Sequence, residues 1–350
     1  MKNNKDLFLI IVAFIIMLST SCETPTTEDK ESKKNDVTEM NLIGKVKSVK
    51  EFSYDIKEVF GKAEKGERNF IDEFEMFFDE KGKLTKKVFL NSLNGEIKNT
   101  ETFEYKDNLL IESNYYSTND SLLSKTLYKY DLKKKLELEE HYYGNGDLNY
   151  KWEYKYNKDN LDSLRLRYDY NNKVDYKIIN VYEGTNKISE ERYRDNDSII
   201  QKLFFKYDKG FKVEEKWIFA DGSGSKFMFE YDDDIGNVKK VSRFDLKDSL
   251  YGIEEFEYDN DKNLTSQIYR FSDGSLSSKQ TMKYDDNKKR NITEFIVFNS
   301  DDSPIQNQLF VYEYDNTGNW ISKTIYFDGK AERIISRTIE YYKQTVATNE

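Results

Sequence analysis

One unit of an internal repeat occupies residues 207–232, YDKGFKVEEKWIFADGSGSKFMFEYD. Aromatic residues recur at every second position from Phe227 to Tyr231, with Met228 and Glu230 between them, which is typical of a strand with one aromatic face. Asp221-Gly222 separates this strand from the preceding one, and such pairs favour tight hairpin turns. Each unit therefore predicts two antiparallel strands and two turns.

The unit recurs along the chain, and most copies are marked by an aromatic residue followed by an acidic or amide residue. Successive marks from Tyr54 to Tyr341 are 24 to 30 residues apart, about 26 on average, which indicates a repeat architecture. The signature residues are Tyr130, Asp131, Tyr207, Asp208, Tyr231, Asp232, Tyr258, Asp259, Tyr284, Asp285, Tyr314 and Asp315.

About ten such units predict a single all-β domain over residues 39–345, built as a long antiparallel meander of about 20 or more strands. A sheet of that length cannot stay flat while burying only one face, so we expect it to curl into a shell, a large barrel or a folded-over sheet. The aromatic face should turn inward and cross-strand Glu–Lys pairs should lie outside. A β-propeller with two units per blade is the alternative.

Composition supports strands and excludes several kinds of site. The 350 residues include 27 Tyr, 23 Phe and 3 Trp but only 2 Pro, so strand formers are many and strand breakers few. A single His141 and a single Cys22 exclude a His/Cys zinc site, a disulfide within the chain and a Cys–His catalytic pair. The net charge of −10 argues against nucleic acid as a partner. We expect no metal and no cofactor.

The N-terminus predicts export and anchoring. Residues 1–21 combine a basic start, an apolar run from Leu7 to Leu18 and small residues, which is typical of a signal peptide and too short to span a bilayer. With Cys22 at its end, the segment resembles a bacterial lipoprotein signal of the looser form found in Bacteroidota, and this implies lipidation of Cys22. An ordinary secretory signal is the alternative. Residues 22–38 are polar and predict a solvated tether.

Residues 231–237, YDDDIGN, and residues 314–320, YDNTGNW, resemble the YD repeats of the RHS family. Residues 42–54, LIGKVKSVKEFSY, resemble the first strand of RHS-like lipoproteins from Bacteroidota. The resemblance implies a spiralling β-shell. The turns at residues 259–263 and 285–289 lack the glycine of the pattern, so we expect turn types to vary. The repeats run almost to the end of the sequence, and we do not expect cargo encapsulation.

Residues that could carry chemistry each have a plainer interpretation. His141 lies in a strand and could be a general base, but we expect an exposed strand residue. Residues 259–263 begin like a calcium loop, yet Leu264 stands where such a loop needs glycine, so a solvated turn is expected. Glu and Asp are too evenly spread to single out a catalytic carboxylate pair.

Two further sets of side chains leave alternatives open. The three tryptophans either fill the aromatic face or stack on sugars; they are Trp152, Trp217 and Trp320. Four serines between an aspartate and an aliphatic residue resemble the O-glycosylation sequon of Bacteroidota, although Asp-Ser also simply starts a strand after a turn. These serines are Ser121, Ser163, Ser198 and Ser249.

Together these patterns predict a non-enzymatic, lipid-anchored cell-envelope protein that presents a β-repeat surface for binding or scaffolding. A glycan-binding envelope protein and an envelope hydrolase with paired carboxylates are the alternatives. The expected location is the outer membrane, on either its surface or its periplasmic side. The expected partners are the membrane, through the lipid, and an unknown protein or glycan.

Overall fold

The structure, a computed structural model, describes residues 35–232, 236–286 and 291–343. The described residues form a short helix, α1 (Asp36–Glu39), and one continuous antiparallel sheet of 23 strands. The strands are β1 (Val46–Val59), β2 (Lys62–Arg68), β3 (Phe74–Phe78), β4 (Leu84–Leu90), β5 (Ile97–Lys106), β6 (Leu109–Ser117), β7 (Leu122–Tyr130), β8 (Leu136–Tyr143), β9 (Leu148–Tyr156), β10 (Asp162–Asp169), β11 (Val174–Glu183), β12 (Asn186–Arg194), β13 (Ile199–Asp208), β14 (Phe211–Phe219), β15 (Gly224–Tyr231), β16 (Val238–Asp245), β17 (Leu250–Tyr258), β18 (Leu264–Phe271), β19 (Leu276–Tyr284), β20 (Ile292–Phe298), β21 (Pro304–Tyr314), β22 (Trp320–Phe327) and β23 (Lys330–Tyr341).

The sheet closes because its first and last strands pair. β1 runs beside β23 from the pair Val46 and Tyr341 to the pair Asp55 and Arg333. The other edge of β1 pairs with β3 and, farther along, with β2. β1 and β3–β23 therefore form a 22-strand barrel, with β2 as a short extension. The predicted all-β meander curled into a barrel is confirmed, and the β-propeller alternative is wrong because the strands form one sheet.

The barrel is hollow rather than filled by a central core. Side chains fill the interior of a barrel of about eight strands, and a closed barrel of 22 strands is much wider. Most aromatic side chains of the described strands are accordingly half-buried, although Glu254, Phe256 and Gln267 of β17 and β18 are almost fully buried. The fully buried apolar cluster of the described residues lies instead at the seam, where Val37 of α1 packs with Leu42, Val46, Val49 and Phe78.

The repeat tyrosine coincides with a β-bulge in most units. The register shifts between Lys129 and Tyr130, between Glu257 and Tyr258, and between Glu313 and Tyr314, among others. A bulge bends its strand and increases the local twist. Bulges repeated at this position around the sheet supply the curvature that closure requires.

The N-terminal segment joins the barrel through α1. The predicted signal peptide (1–21), the lipidated Cys22 and the tether up to residue 34 lie outside the described residues. At the end of the predicted tether, Asn35 caps α1 and Val37 is 3% exposed. The Asp36 carboxylate accepts a hydrogen bond from the Leu84 backbone N–H at 2.5 Å. Residues 35–38 thus pack onto the barrel instead of extending as a tether.

Candidate functional site: the inner face of the barrel

Exposure along each strand distinguishes an inner face from an outer face. In β21, Phe310, Tyr312 and Tyr314 are half-buried, whereas Leu309 and Val311, which alternate with them, are 36% and 54% exposed. Because strand pairing places register partners on the same face, this assignment extends around the sheet. We call the less exposed, aromatic side of the sheet the inner face and the opposite side the outer face.

The outer face carries the cross-strand Lys–Glu pairs that the alternation predicts. The ammonium and carboxylate groups lie 2.6–3.1 Å apart in pairs at strand positions around the sheet. These pairs are Lys50–Glu75, Lys129–Glu140, Lys206–Glu214, Lys240–Glu230 and Lys283–Glu294.

The signature tyrosines serve the fold. In each regular unit the tyrosine hydroxyl donates to a backbone carbonyl at the start of the preceding strand, over 2.7–3.1 Å. These donors are Tyr130, Tyr156, Tyr182, Tyr207, Tyr231, Tyr258 and Tyr284, and the acceptors are the carbonyls of Leu110, Leu136, Asp162, Lys187, Lys212, Val238 and Leu264. Tyr314 departs from the pattern, since its hydroxyl donates to Asp285 instead.

The signature acids hold turns. The Asp131 carboxylate accepts hydrogen bonds from the Lys133 and Lys135 backbone N–H groups, both at 2.8 Å. Asp259 and Asp315 do the same two and four residues ahead. Asp208 is different, because it pairs directly with Phe211 across a two-residue turn. The signature therefore marks structure rather than a reactive site.

All three tryptophans lie on the inner face. Trp152 meets Tyr176 edge-on, with ring centroids 5.9 Å apart, and Trp217 packs at 5.1 Å from Phe227. Trp320 lies 6.1 Å from Tyr312. Because the barrel is hollow, these half-buried rings line its wall and do not complete a solid core.

Arginine–glutamate pairs share the inner face with the aromatic rings. Arg243 is paired with Glu254, which is 2% exposed and also accepts from Gln267 Nε2 at 2.5 Å. Burial raises the pKa of Glu190, but Lys187 and Arg192 outweigh it and hold that pKa below its usual value. The alternation of the strands predicts charge pairs only on the outer face, so these inner pairs were not expected. The sequence does contain a signal for them, because arginine stands at strand positions that aromatic residues occupy in other units.

His141 is also an inner-face residue, which corrects the expectation of an exposed strand histidine. Its ring stacks on Tyr150 at 4.1 Å, Nδ1 lies 3.1 Å from Thr126 Oγ1 and Nε2 lies 2.6 Å from Glu139 Oε1. Hydrogen bonding by His141 lowers the pKa of Glu139, assisted by the Tyr154 hydroxyl. The side chain is 21% exposed, because register with Thr126 places it inside.

A cationic cluster lies on the inner face where β22 and β23 meet β1. Arg337 Nε donates to Glu51 Oε2 at 2.7 Å, and its guanidinium carbon lies 3.4 Å from the centroid of the Trp320 ring. Lys323 Nζ lies 5.2 Å from the same ring. Burial lowers the pKa of Lys323, and Arg337 and Arg333 lower it further against the effect of Glu51. We call Lys323, Arg333, Arg337 and Trp320 the seam cluster.

The predicted modification sites fall into two groups. Ser121, Ser198 and Ser249 are exposed in the predicted class of turn, each after an aspartate with positive φ, whereas Ser163 is a half-buried residue of β10. In the equivalent turn of another unit, Gly222 takes the position of this aspartate and also has a positive φ. Asp-Ser therefore also has a structural cause here, because aspartate tolerates the left-handed conformation. Glycosylation stays a prediction.

The described ranges contain neither a cluster of metal ligands nor a helix that could span a bilayer. In residues 35–232, 236–286 and 291–343, no three His, Cys, Asp or Glu side chains are grouped to hold a metal ion. At residues 259–263, Asp259 accepts from backbone N–H groups and from the Asn263 side chain, as in a turn. No helix in the described part of the chain is long and apolar enough to cross a bilayer.

Comparison with known proteins assigns no family. No protein-family model matches the chain, and no curated protein does. A porin-like protein from Bacteroides uniformis is similar over 84% of this chain and 96% of its own, at 9% identity and a TM-score of 0.30. One from Bacteroides vulgatus covers 85% and 98%, at 12% identity and a TM-score of 0.20.

The Photorhabdus luminescens Tc holotoxin pore is similar over 75% of this chain, at 10% identity and a TM-score of 0.26. The chain spans 19% of that toxin chain. At these TM-scores the likeness assigns neither a family nor a function. The resemblance to RHS-like lipoproteins stays a prediction.

Proposed function

We propose that the protein is a non-enzymatic, lipid-anchored envelope protein that binds a ligand on the inner face of its barrel. One observation carries the proposal: the wall of a hollow barrel is lined with aromatic rings and arginines that are half-buried rather than sealed into a core. Rings provide stacking surfaces and guanidinium groups provide several hydrogen-bond donors, which together suit a polar ligand.

The charged side chains of the outer face favour a barrel that is surrounded by water. Lys129, Lys206 and Lys283 occupy outward strand positions and pair with glutamates on the neighbouring strands. A lysine that faces lipid near the bilayer midplane costs about 2–4 kcal/mol. Such residues recur around the barrel, which favours a protein held at a membrane by its lipid over one that spans it.

A glycan is the second, narrower candidate for the ligand. It is favoured by Trp152, Trp217 and Trp320, which lie on the inner face of three different repeat units. Sugar rings stack on indoles through their apolar faces. Glu190 and Glu254 are each paired with an arginine. This argues against a free carboxylate pair for hydrolysis at those positions.

Anchoring is tested by separating membranes from wild-type cells and from cells that make the Cys22→Ala variant. We expect the wild-type protein in the outer-membrane fraction until detergent is added, and the variant in the periplasm or medium. Protease treatment of intact cells then assigns the surface or the periplasmic side. Equal membrane retention of both proteins would contradict lipid anchoring.

Ligand binding is tested with the purified Cys22→Ala protein by tryptophan fluorescence. Titration with a panel of neutral and acidic oligosaccharides should give a saturable change for at least one of them. Single Trp→Phe variants at positions 152, 217 and 320 then locate the binding unit. A flat response to the whole panel would contradict the glycan candidate.

A further inference from the structure

The seam cluster brings three cations together on one wall. Lys323 of β22 is the register partner of Ile335 in β23, and Arg333 and Arg337 lie two residues to either side of Ile335. All three cations therefore share the inner face and lie diagonally next to one another. The whole chain carries a net charge of −10, so such a concentration of positive charge is not a consequence of composition.

The anionic side chains nearby leave this charge incompletely compensated. Glu51 is engaged by Arg337, and the carboxylate that approaches Arg333 belongs to Asp72, at 3.8 Å and with an 87% exposed side chain. Lys323 has no hydrogen bond or ion pair with any of the described residues, and its Nζ lies over the Trp320 ring. Burial lowers the pKa of this half-buried ammonium, and Glu51, which raises it from a distance, offsets only part of the cost.

We infer that the seam cluster binds the oxyanion of an acidic ligand, between Lys323 and the guanidinium N–H groups that Arg337 does not use on Glu51. The inference rests on the proposed function, which it narrows from a ligand of any charge to an acidic one. An oxyanion provides the negatively charged partner that Lys323 lacks. Strands β22 and β23 already hold Lys323 and Arg337 in position, so little ordering is needed on binding.

The adjoining rings define the rest of the ligand. Trp320 and Tyr312 meet at an interplanar angle of 64° and form an apolar corner beside the cations. A ring that carries a carboxylate, such as a uronic acid unit, packs its apolar face against Tyr312 and the part of Trp320 that Arg337 does not cover, with its oxyanion toward Lys323. A phosphate-bearing ligand shares the oxyanion chemistry, and the experiment separates the two.

The test uses the full chain with Cys22→Ala, Trp152→Phe and Trp217→Phe, so that Trp320 is the remaining tryptophan. Its fluorescence is titrated with oligogalacturonate, with a neutral galactose oligomer of equal length and with inorganic phosphate. We expect saturable binding of oligogalacturonate and at least tenfold weaker binding of the neutral oligomer. Phosphate binding without oligogalacturonate binding would support an oxyanion site for a phosphate-bearing ligand.

Two lysine variants locate the interaction. Lys323→Gln should weaken oligogalacturonate binding at least tenfold, whereas Lys283→Gln, on the outer face, should not change it. Lys323→Arg should retain binding and should also retain it at alkaline pH, where wild-type affinity falls because Lys323 deprotonates.

The outcomes separate the inference from the proposed function. If neutral and acidic oligomers bind equally well, or Lys323→Gln binds like its parent, ligand binding stands and the oxyanion site is refuted. If neither oligomer nor phosphate changes the fluorescence of Trp320, while the parent with all three tryptophans responds to a glycan, the ligand binds elsewhere and only the inference fails. If no response is seen in either protein, both fail.

Discussion

Each repeat tyrosine uses its two ends for different purposes. Its ring lies on the inner face, and its hydroxyl donates to a carbonyl at the start of the preceding strand, as Tyr130 does to Leu110 at 2.8 Å. The acceptor would otherwise be an unpaired carbonyl near the turn. This explains why the mark is tyrosine in nearly every unit and why Phe78, which has no hydroxyl, stands at the seam, where α1 covers it.

Tyr130→Phe should lower the free energy of unfolding by about 1 kcal/mol, because a half-buried carbonyl loses its donor while the ring is kept. Thermal unfolding measured by circular dichroism should shift down by about 1–2 °C in a chain of this size. Tyr170→Phe is the control, since Tyr170 is 69% exposed and should leave the transition unchanged. Equal effects of the two substitutions would contradict a stabilising role for the hydroxyl.

Glu139 should make stability depend on acid pH. Its folded-state pKa lies below the ordinary value of 4.5, so its stabilisation is present above about pH 4.5 and is lost as pH falls through the folded pKa. Glu139→Gln should therefore unfold at a lower temperature than wild type at pH 7, with the difference shrinking toward pH 3. The exposed Glu137→Gln should follow wild type throughout. A constant gap would show that the carboxylate charge is not involved.

Lys323 should be a site where binding and stability conflict. Because its pKa is lowered in the folded state, the charged form destabilises the fold, and stability rises as pH increases through that pKa. Lys323→Met should raise the unfolding temperature by about 1–3 °C at pH 7. The advantage should vanish at alkaline pH, where wild-type Lys323 is neutral. A destabilised Lys323→Met would mean that the ammonium has a structural partner.

Two residue-level features escaped the sequence analysis for a physical reason. Alternation distinguishes the two faces of a strand. It does not show that the barrel is hollow and its inner face only half-buried, so charged pairs were expected on the outer face alone. In a hollow barrel the inner wall tolerates Arg192 and His141 because each finds a carboxylate and an aromatic or amide neighbour there. The identity of each partner depends on register, which single strands do not reveal.

At the level of the turn, the two units that lack the glycine of the pattern behave differently from each other. The turn at residues 259–263 lacks glycine, yet it closes with the same Asp259 N–H to Asn263 C=O bond that Asp315 makes to Asn319. Lys262 takes a positive φ of 66° at the position where Gly318 has a φ of 92° in its own turn. The expected variation is absent from this turn but present after Asp285, whose N–H bonds to the Asn291 carbonyl across two more residues.

Two substitutions of Asp131 test whether its carboxylate acts as a hydrogen-bond acceptor in the turn. Asp131→Ala should cost about 1–2 kcal/mol, because the Lys133 and Lys135 N–H groups lose their acceptor. Asp131→Asn should stay within about 0.5 kcal/mol of wild type, since Asn157 accepts the same two bonds in its own turn. Denaturant unfolding measures both. If Asn is as damaging as Ala, the carboxylate acts by charge and not as a turn acceptor.

For the whole molecule, the repeat count and the one-sided aromatic pattern were enough to predict a curled antiparallel meander. They were not enough to predict closure, because closure depends on β1 matching β23 at the opposite end of the chain. That match adds side-chain bonds across the seam. Asn319 Nδ2 donates to the Ile43 carbonyl and Asn319 Oδ1 accepts from its N–H, both at 2.8 Å.

Closure underlies the inner face, the hollow interior and the seam cluster, so it is the claim to test first. Lys50→Cys and Thr338→Cys, in a Cys22→Ser background, place nitroxide labels on register partners of β1 and β23. Electron paramagnetic resonance should report a separation below about 20 Å, as it should for a control pair at Lys50 and Glu75. In an open sheet, about twenty strand spacings of about 4.8 Å separate the edges. A control pair that stays close while the seam pair lies tens of ångströms apart would contradict the closed barrel.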